Sequence, residues 1–193
     1  MLASRKQRLL VLAVALIAIG VGLYFAVRYP PDTTVEGVYA RIARAVGRDD
    51  PTTCFAYLEN DAQHAAFTIV DYAKKAEARI REAYPPEDRD RELPRYEALA
   101  QAASGAELWT QLARDNGYLV RLRKDMSGID KIVYAGERAT VVTVRGTRYS
   151  FRRRPNGIWG LTLFTAELES EAARIARDWE RIQQAANDYE AAR

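Results

Sequence analysis

Cysteine and histidine are almost missing from this chain, with one of each, Cys54 and His64, among 193 residues. A single cysteine cannot close an internal disulfide, even in an oxidising compartment. Burial as a small hydrophobe is its ordinary fate. One imidazole and one thiol do not supply the donor set of a zinc site, so no metal ligand is assigned. The phosphate-cradling and nucleophile motifs are also missing: there is no GxGxxG, no P-loop, no GxSxG and no HExxH. His64 with Asp71, about two helical turns on, and the neighbours Asp71 and Tyr72 are the pairs that offer proton transfer. Both also suit an ordinary helix with one exposed and one buried side. Asp49 and Asp50 form a carboxylate pair that Pro51 explains as a capping turn. No catalytic residue and no cofactor is therefore assigned.

An excess of charge is lacking too. The sequence pI of about 9.0 is misleading. From Pro30 onward there are 25 Lys and Arg against 26 Asp and Glu, a net charge of −1. The basic balance comes from Arg5, Lys6, Arg8 and Arg28, so global charge gives no case for nucleic acid.

What the chain has is one long apolar run. Residues 9–27 carry no charge and are rich in leucine, valine, isoleucine and alanine. As a helix this run reaches roughly 28 Å, close to the hydrocarbon thickness of a bilayer. Tyr24 and Tyr29 stand where interfacial aromatics belong, and three cations precede the run while only Arg28 closely follows. The expectation is a single-pass anchor in a bacterial-type inner membrane, with a cytoplasmic N-terminus and the bilayer as first partner. A cleaved signal peptide would have a shorter core and a small-x-small site, and the sequence here reads Tyr24-Phe25-Ala26-Val27-Arg28-Tyr29-Pro30. Residues 1–29 are then the basic stub and anchor, and residues 30–193 an extracytoplasmic domain.

Within that domain the periodicity is helical first. Thr33-x-x-Glu36 reads as a capping box for a helix that buries Val35, Val38, Tyr39, Ile42 and Val46 and stops at Gly47. Asp50-Pro51 starts a second helix, burying Cys54, Phe55 and Leu58. A third runs over 61–84 with Ala66, Ile69, Ala73, Ala76 and Ile80 inward, ended by Pro85-Pro86. Residues 87–92 are nearly all charged and read as a solvated loop. Short helices follow over 94–103 and 106–116, with Gly117 as a stop; residues 118–126 fit either strand or helix.

From Ile129 the period becomes two. Residues 129–135, 138–145, 148–154 and 158–164 read as an antiparallel meander. Gly146-Thr147 suits a two-residue turn, pairing Val144 with Tyr149 and Val142 with Phe151. Pro155-Asn156-Gly157 suits a three-residue turn, setting Phe151 beside Leu161 and Tyr149 beside Leu163. Both turns choose one inner face: Val142, Val144, Tyr149, Phe151, Leu161 and Leu163. A final helix from Thr165 nearly to the end repeats Leu168, Ala172, Ile175, Trp179, Ile182, Ala186 and Tyr189 as a heptad. The fold class is α+β, with helices on an antiparallel meander and a long C-terminal helix. Over residues 33–164 this order of elements resembles the NTF2-like (cystatin-like) superfamily. That likeness implies helices packed into a curved sheet, often around a conical pocket; the long final helix and residues 87–105 depart from it.

Two surfaces stand out. Residues 118–160 carry ten Lys and Arg against three Asp and Glu. Arg145, Arg148, Arg152 and Arg154 point away from the inner face, where they can fork onto an anionic ligand, a headgroup or an acidic partner. Pairing with the domain's own acidic helices, or protection of strand edges, is the structural alternative. The heptad residues Leu168, Ile175, Trp179, Ile182 and Tyr189 offer a helix interface for an envelope protein or a second copy, or else form a lid on the chain's own domain. The leading expectation is a membrane-tethered, non-enzymatic interaction module of the cell envelope. The second is a pocket protein for a small apolar or anionic ligand, its cavity lined by residues such as Tyr72, Tyr149, Phe151 and Trp159.

Overall fold

A computed structural model describes residues 13–21, Tyr24 and residues 30–192. Residues 13–21 and Tyr24 are helical and exposed. The rest of the expected anchor, with its flanking cations and Tyr29, lies outside the described residues. Among the described residues no helix is long and apolar enough to cross a membrane.

Pro30 and Pro31 fold back onto the first helix of the domain, α1 (Val35–Gly47). Its cap is Thr34 rather than the expected Thr33. Thr34 Oγ1 accepts from Gly37 N at 3.1 Å and donates to the Pro31 carbonyl at 2.7 Å. The Pro31 turn thus selects the capping residue, and only glycine fits at position 37, where a Cβ would run into that carbonyl. Glu36 is freed from the capping box and accepts from the Tyr134 hydroxyl at 3.4 Å. Helix α2 (Pro51–Ala56) starts as the sequence predicts, with Asp50 Oδ1 accepting from Thr53 N at 2.9 Å.

Helix α3 (Asn60–Ala83) buries Ala62, Ala66, Ile69, Ala73, Ala76 and Ile80 completely. The expected loop after it is a helix instead, α4 (Pro86–Glu92), with no buried residue. Its charges are ordered for a helix: Pro86 at the first position, Glu87 and Asp88 in the first turn, Arg89 and Arg91 in the last. Tyr189 also donates to Asp88 at 2.7 Å and ties it down. Helices α5 (Pro94–Ala100), α6 (Gly105–Asp115) and α7 (Tyr118–Asp125) follow, so the ambiguous stretch after Gly117 is helical. Gly117 adopts a left-handed φ of 62° at the junction.

Strands β1 (Ile129–Ala135), β2 (Arg138–Thr143), β3 (Arg148–Arg153) and β4 (Trp159–Leu161) form one antiparallel sheet in that order. The second expected turn holds: Phe151 pairs with Leu161, and Gly157 takes a φ of 84°. The first does not. Val141 pairs with Tyr149 and Ala139 with Phe151, a slip of three residues from the expected register. An odd slip exchanges the faces of a strand. Ala139, Val141 and Thr143 are therefore the buried residues of β2, and Val144 is 67% exposed. Thr143 is the reason. Its N–H donates to the Thr147 carbonyl at 2.9 Å, its Oγ1 accepts from Thr147 N at 3.2 Å, and its carbonyl accepts from Gly146 N at 2.8 Å. These bonds close a wider loop and leave Val144 N to donate to the Gly128 carbonyl at 2.9 Å. Leu163 also leaves the expected inner face, because the β3–β4 ladder ends at Leu161 and Leu163 is half exposed.

The sheet joins the helical body through β4. Leu161 N donates to the Tyr57 carbonyl at 2.8 Å, and Glu59 N donates to the Leu161 carbonyl at 3.1 Å. Gly160 permits this approach, since a Cβ there would stand 2.5 Å from Glu59 Cα. The inner face is packed rather than hollow: Val141, Tyr149, Phe151 and Leu161 are buried, and the Tyr39 ring lies 5.9 Å from that of Tyr149.

The last helix, α8 (Thr165–Ala191), runs beside α3 in the same direction. Thr165 meets Glu59 at one end, and at the other Arg79 reaches Asn187 at 2.9 Å and Glu190 at 2.6 Å. The heptad seam is consequently not a free surface. Leu168, Ile175 and Ile182 are buried in the domain's own core, with Trp179 and Tyr189 partly buried against it. Six of the nine buried residues of α3 are alanines, and small side chains let packed helices approach closely.

Candidate functional site

The outer face of the sheet carries Arg148 and Arg152, two of the arginines the sequence singles out, beside the starts of two long helices. Register and burial put Thr140 and Val142 of β2, and Arg148, Ser150 and Arg152 of β3, on that face. Arg138 stands opposite Arg152. The first turns of α3 and α8 rim the face and enclose a groove of about 500 Å³, with Arg138, Ser150, Thr162 and Glu169 in its lining. A neighbouring cleft of about 410 Å³ shares Glu59, Asp61 and Arg152 with it and adds Glu137, Arg153 and Arg154.

Three polar links organise the shared wall. Arg152 Nη1 donates to Asp61 Oδ2 at 2.8 Å and lies 3.8 Å from Glu59 Oε2. Glu59 is buried and takes a hydrogen bond from the Thr165 hydroxyl. Arg154 Nη2 donates to the Ala56 carbonyl at 2.9 Å, while its Nε is buried without a protein partner. Burial holds the Arg154 guanidinium below the usual arginine range, opposed by the nearby Glu59 charge. Neither α3 nor α8 has a side-chain cap at its start, so Glu59 serves both as N-cap residue of α3 and as the acceptor for Thr165 at the start of α8.

The four arginines expected to act together are therefore spread out. Arg152 and Arg154 are spent largely on the domain itself. Arg145 lies in the β2–β3 loop and donates to the Lys124 carbonyl. Arg148 stands at the far end of the outer face and, among the described residues, makes no ion pair. The same is true of Arg138, which sequence reasoning passed over although its place in the register, opposite Arg152, could have marked it. Arg148 also borders a cavity of about 270 Å³ walled by Tyr118, Leu122, Leu163 and Phe164. Tyr149 is part of its lining; its hydroxyl is buried and, among the described residues, has no hydrogen-bond partner, and burial pushes its phenol up to about 12, so it is a neutral donor. Tyr118 faces that space too, its hydroxyl bonded to Glu167 and its ring under Arg121 at 5.0 Å.

The other singled residues stay apart. His64 is exposed on α3, and Asp71 is paired with Lys75 at 2.6 Å rather than with the imidazole. Tyr72 is partly buried under the Lys75 ammonium, 5.1 Å from the ring centre. Trp159 packs edge-on against Tyr134 at 6.0 Å. Tyr149 and Phe151 border two different open clefts, so the four expected cavity residues do not line one cavity. Among the described residues no cluster of three or more His, Cys, Asp and Glu is placed to hold a metal ion. Comparison with protein-family models, with curated proteins and with solved structures finds no match to this chain.

Proposed function

We propose that this chain is a membrane-tethered, non-enzymatic interaction module of the bacterial cell envelope, which offers the outer face of its sheet to an acidic partner. The observation that carries it is the contrast among the outer-face arginines. Arg152 is neutralised by Asp61, whereas Arg138 and Arg148 flank Thr140 and Ser150 without an ion pair among the described residues. Guanidinium forks beside hydroxyls suit carboxylate recognition. The tether is the apolar run at residues 9–27 with its N-terminal cations. The heptad seam takes no part, because its large residues are core. The non-enzymatic reading is supported by two of the cleft's carboxylates being engaged already, Glu59 by Thr165 and Asp61 by Arg152.

The test places a photo-crosslinking residue at Ser150 of the full chain in native membranes. The expected result is a protein adduct that disappears with Arg148→Glu and weakens at high salt. Adducts indifferent to charge reversal, or none above background, overturn the reading. Resistance to alkaline extraction checks the tether in the same membranes.

A second reading, a pocket protein binding a small anionic ligand with an apolar body, is favoured by one observation. Tyr149, whose hydroxyl has no hydrogen-bond partner among the described residues, shares a cavity with Arg148, Arg121 and an aromatic wall. Native mass spectra of the detergent-solubilised chain would show a discrete retained mass that Tyr149→Phe with Arg148→Ala removes. A ligand-free spectrum counts against it.

A further inference from the structure

We propose that the end of the sheet holding the β1–β2 and β3–β4 turns rests on the bilayer surface, with Arg153 and Arg41 on lipid phosphates and Tyr134 in the interfacial layer. This rests on the tether reading above.

The chain enters the domain at a fixed place. Arg41 Nη1 donates to the Pro30 carbonyl at 2.6 Å, Thr34 N to that of Pro31 at 3.0 Å, and Trp159 N to that of Asp32 at 3.4 Å. Gly37 closes on Pro31 with no room for a Cβ. Residues 30–32 therefore move with α1 and β4, not as a loose linker. From Val27, the end of the apolar run, to Pro30 is three Cα steps, at most about 11 Å. A headgroup layer is roughly 5–7 Å deep. A domain pinned at Pro30 cannot lift that end far from the lipid.

The same end carries suitable chemistry. Trp159, bonded to Asp32, pairs with Arg153, and Arg153 N donates to the Glu137 carbonyl at 2.8 Å. Both hairpin turns thus gather beside the entry point, and the β2–β3 loop lies at the opposite end. Tyr134 is 54% exposed, with its ring against Trp159 and its hydroxyl on Glu36. An apolar ring with a polar tip is the side chain favoured at a membrane interface. Arg153 meets Glu137 only at 3.8 Å with both side chains well exposed, a contact that costs little to exchange for a phosphate. Arg41 uses Nη1 on the Pro30 and Gly37 carbonyls, and among the described residues its Nε and Nη2 make no hydrogen bond. Asp32, Glu36, Glu59, Asp61 and Glu137 are the acidic groups here; Glu137 faces Arg153, Glu36 accepts from Tyr134, Asp61 is paired with Arg152, and buried Glu59 accepts from Thr165.

The experiment uses the full chain in phosphatidylcholine vesicles with and without phosphatidylglycerol. An environment-sensitive fluorophore is attached through Asn156→Cys, in the β3–β4 turn, or Val144→Cys, at the far end. Cys54 is fully buried with its thiol pushed up to about 12, so it stays out of the labelling. Headgroup spin-labelled lipid should quench the label at position 156 several-fold more than that at 144, more strongly with anionic lipid. Arg153→Glu with Tyr134→Ser should bring the two sites together while the chain still floats with the vesicles. Equal quenching at both sites in floating vesicles overturns the proposal and leaves the tether standing. A persistent difference in the double variant overturns the roles given to Arg153 and Tyr134. A chain that does not float removes the tether and this proposal with it.

Discussion

Replacing Ile175 by alanine separates the two uses of a heptad. Ile175 is fully buried, midway along α8, with α3 as its main partner. Truncating a buried isoleucine to alanine costs about 2–5 kcal/mol, depending on how far the site collapses. Most of the buried residues of α3 are alanines, short side chains that cannot extend to fill the space left. We therefore expect about 3 kcal/mol. For a domain of this size each kcal/mol lowers Tm by roughly 2–4 °C, which gives a fall of about 6–12 °C. The control is Arg177→Ala, exposed on the same helix, expected within about 0.5 kcal/mol of the parent. Thermal and urea unfolding followed by circular dichroism measure both variants, and sedimentation measures their size. If Ile175→Ala unfolds like Arg177→Ala while the sedimenting species becomes smaller, the seam is an interface between chains and the packing argument is wrong.

Gly160→Ala should cost about 2–4 kcal/mol, because its Cβ would press on the Glu59 backbone and part the β4 junction. Gly157→Ala, with open space but a φ of 84°, should cost only about 1–2 kcal/mol, and the reverse order in urea titrations would contradict the close approach. Asp50→Ala should cost about 1 kcal/mol at neutral pH through loss of the α2 cap. The Thr53 hydroxyl and N–H hold the Asp50 carboxyl below its ordinary range, so its contribution is present above the unfolded value near ~4 and fades as pH falls through the folded one. A variant gap that stays constant down to pH ~2 would refute that linkage. Cys54 should react with a thiol reagent only as fast as the domain opens. Burial raises its folded value to about 12, so the thiol's contribution is intact below the unfolded ~8.5 and declines as pH rises through that window. Rapid labelling of the native chain would sink this reading.

How much could be read from the sequence depended on the kind of signal. Helical faces were legible because a burial stripe repeats locally: Val35, Val38, Ile42 and Val46, or Ile69, Ala73, Ala76 and Ile80, need only their own spacing. The turn at Pro155-Asn156-Gly157 was legible because proline and glycine fix its geometry. The β2–β3 loop was not, since Gly146-Thr147 fits a tight turn equally well until Thr143 bonds to Thr147. Both registers place apolar residues inward, and the actual one exposes Val144 while burying Ala139 and Thr143. The α4 segment was not legible, because its charge density suits a solvated loop and only the order of its charges marks a helix. At the site, the outward direction of Arg148 and Arg152 was legible from alternation, but that of Arg145 and Arg154 was not, because both lie outside the strands. Which of them stay free was not legible either, because Asp61 lies ninety-one residues before Arg152 and only the folded chain brings them together.

That last contrast bears on how a basic surface should be interpreted. Counting Lys and Arg over residues 118–160 suggests one patch, but cations in a folded domain divide by the acceptors within their reach. Near β4 the carboxylates of Glu59 and Asp61 meet Arg152, and the Ala56 carbonyl takes Arg154. These side chains fasten the sheet to the end of α2 and the start of α3, and removing them acts first on the fold. Arg148 stands beyond those acceptors at one end of the outer face, and Arg138 stands at the other, opposite Arg152 and in one groove with Glu59 and Asp61 but without an ion pair among the described residues. Arg153 stands at the tether end beside a loosely held Glu137. A surface pair of that kind contributes under about 1 kcal/mol, less than a desolvated contact with a phosphate or a partner carboxylate can return. Substituting these three should therefore leave the unfolding midpoint almost unchanged and move only the contacts the domain makes with what lies outside it.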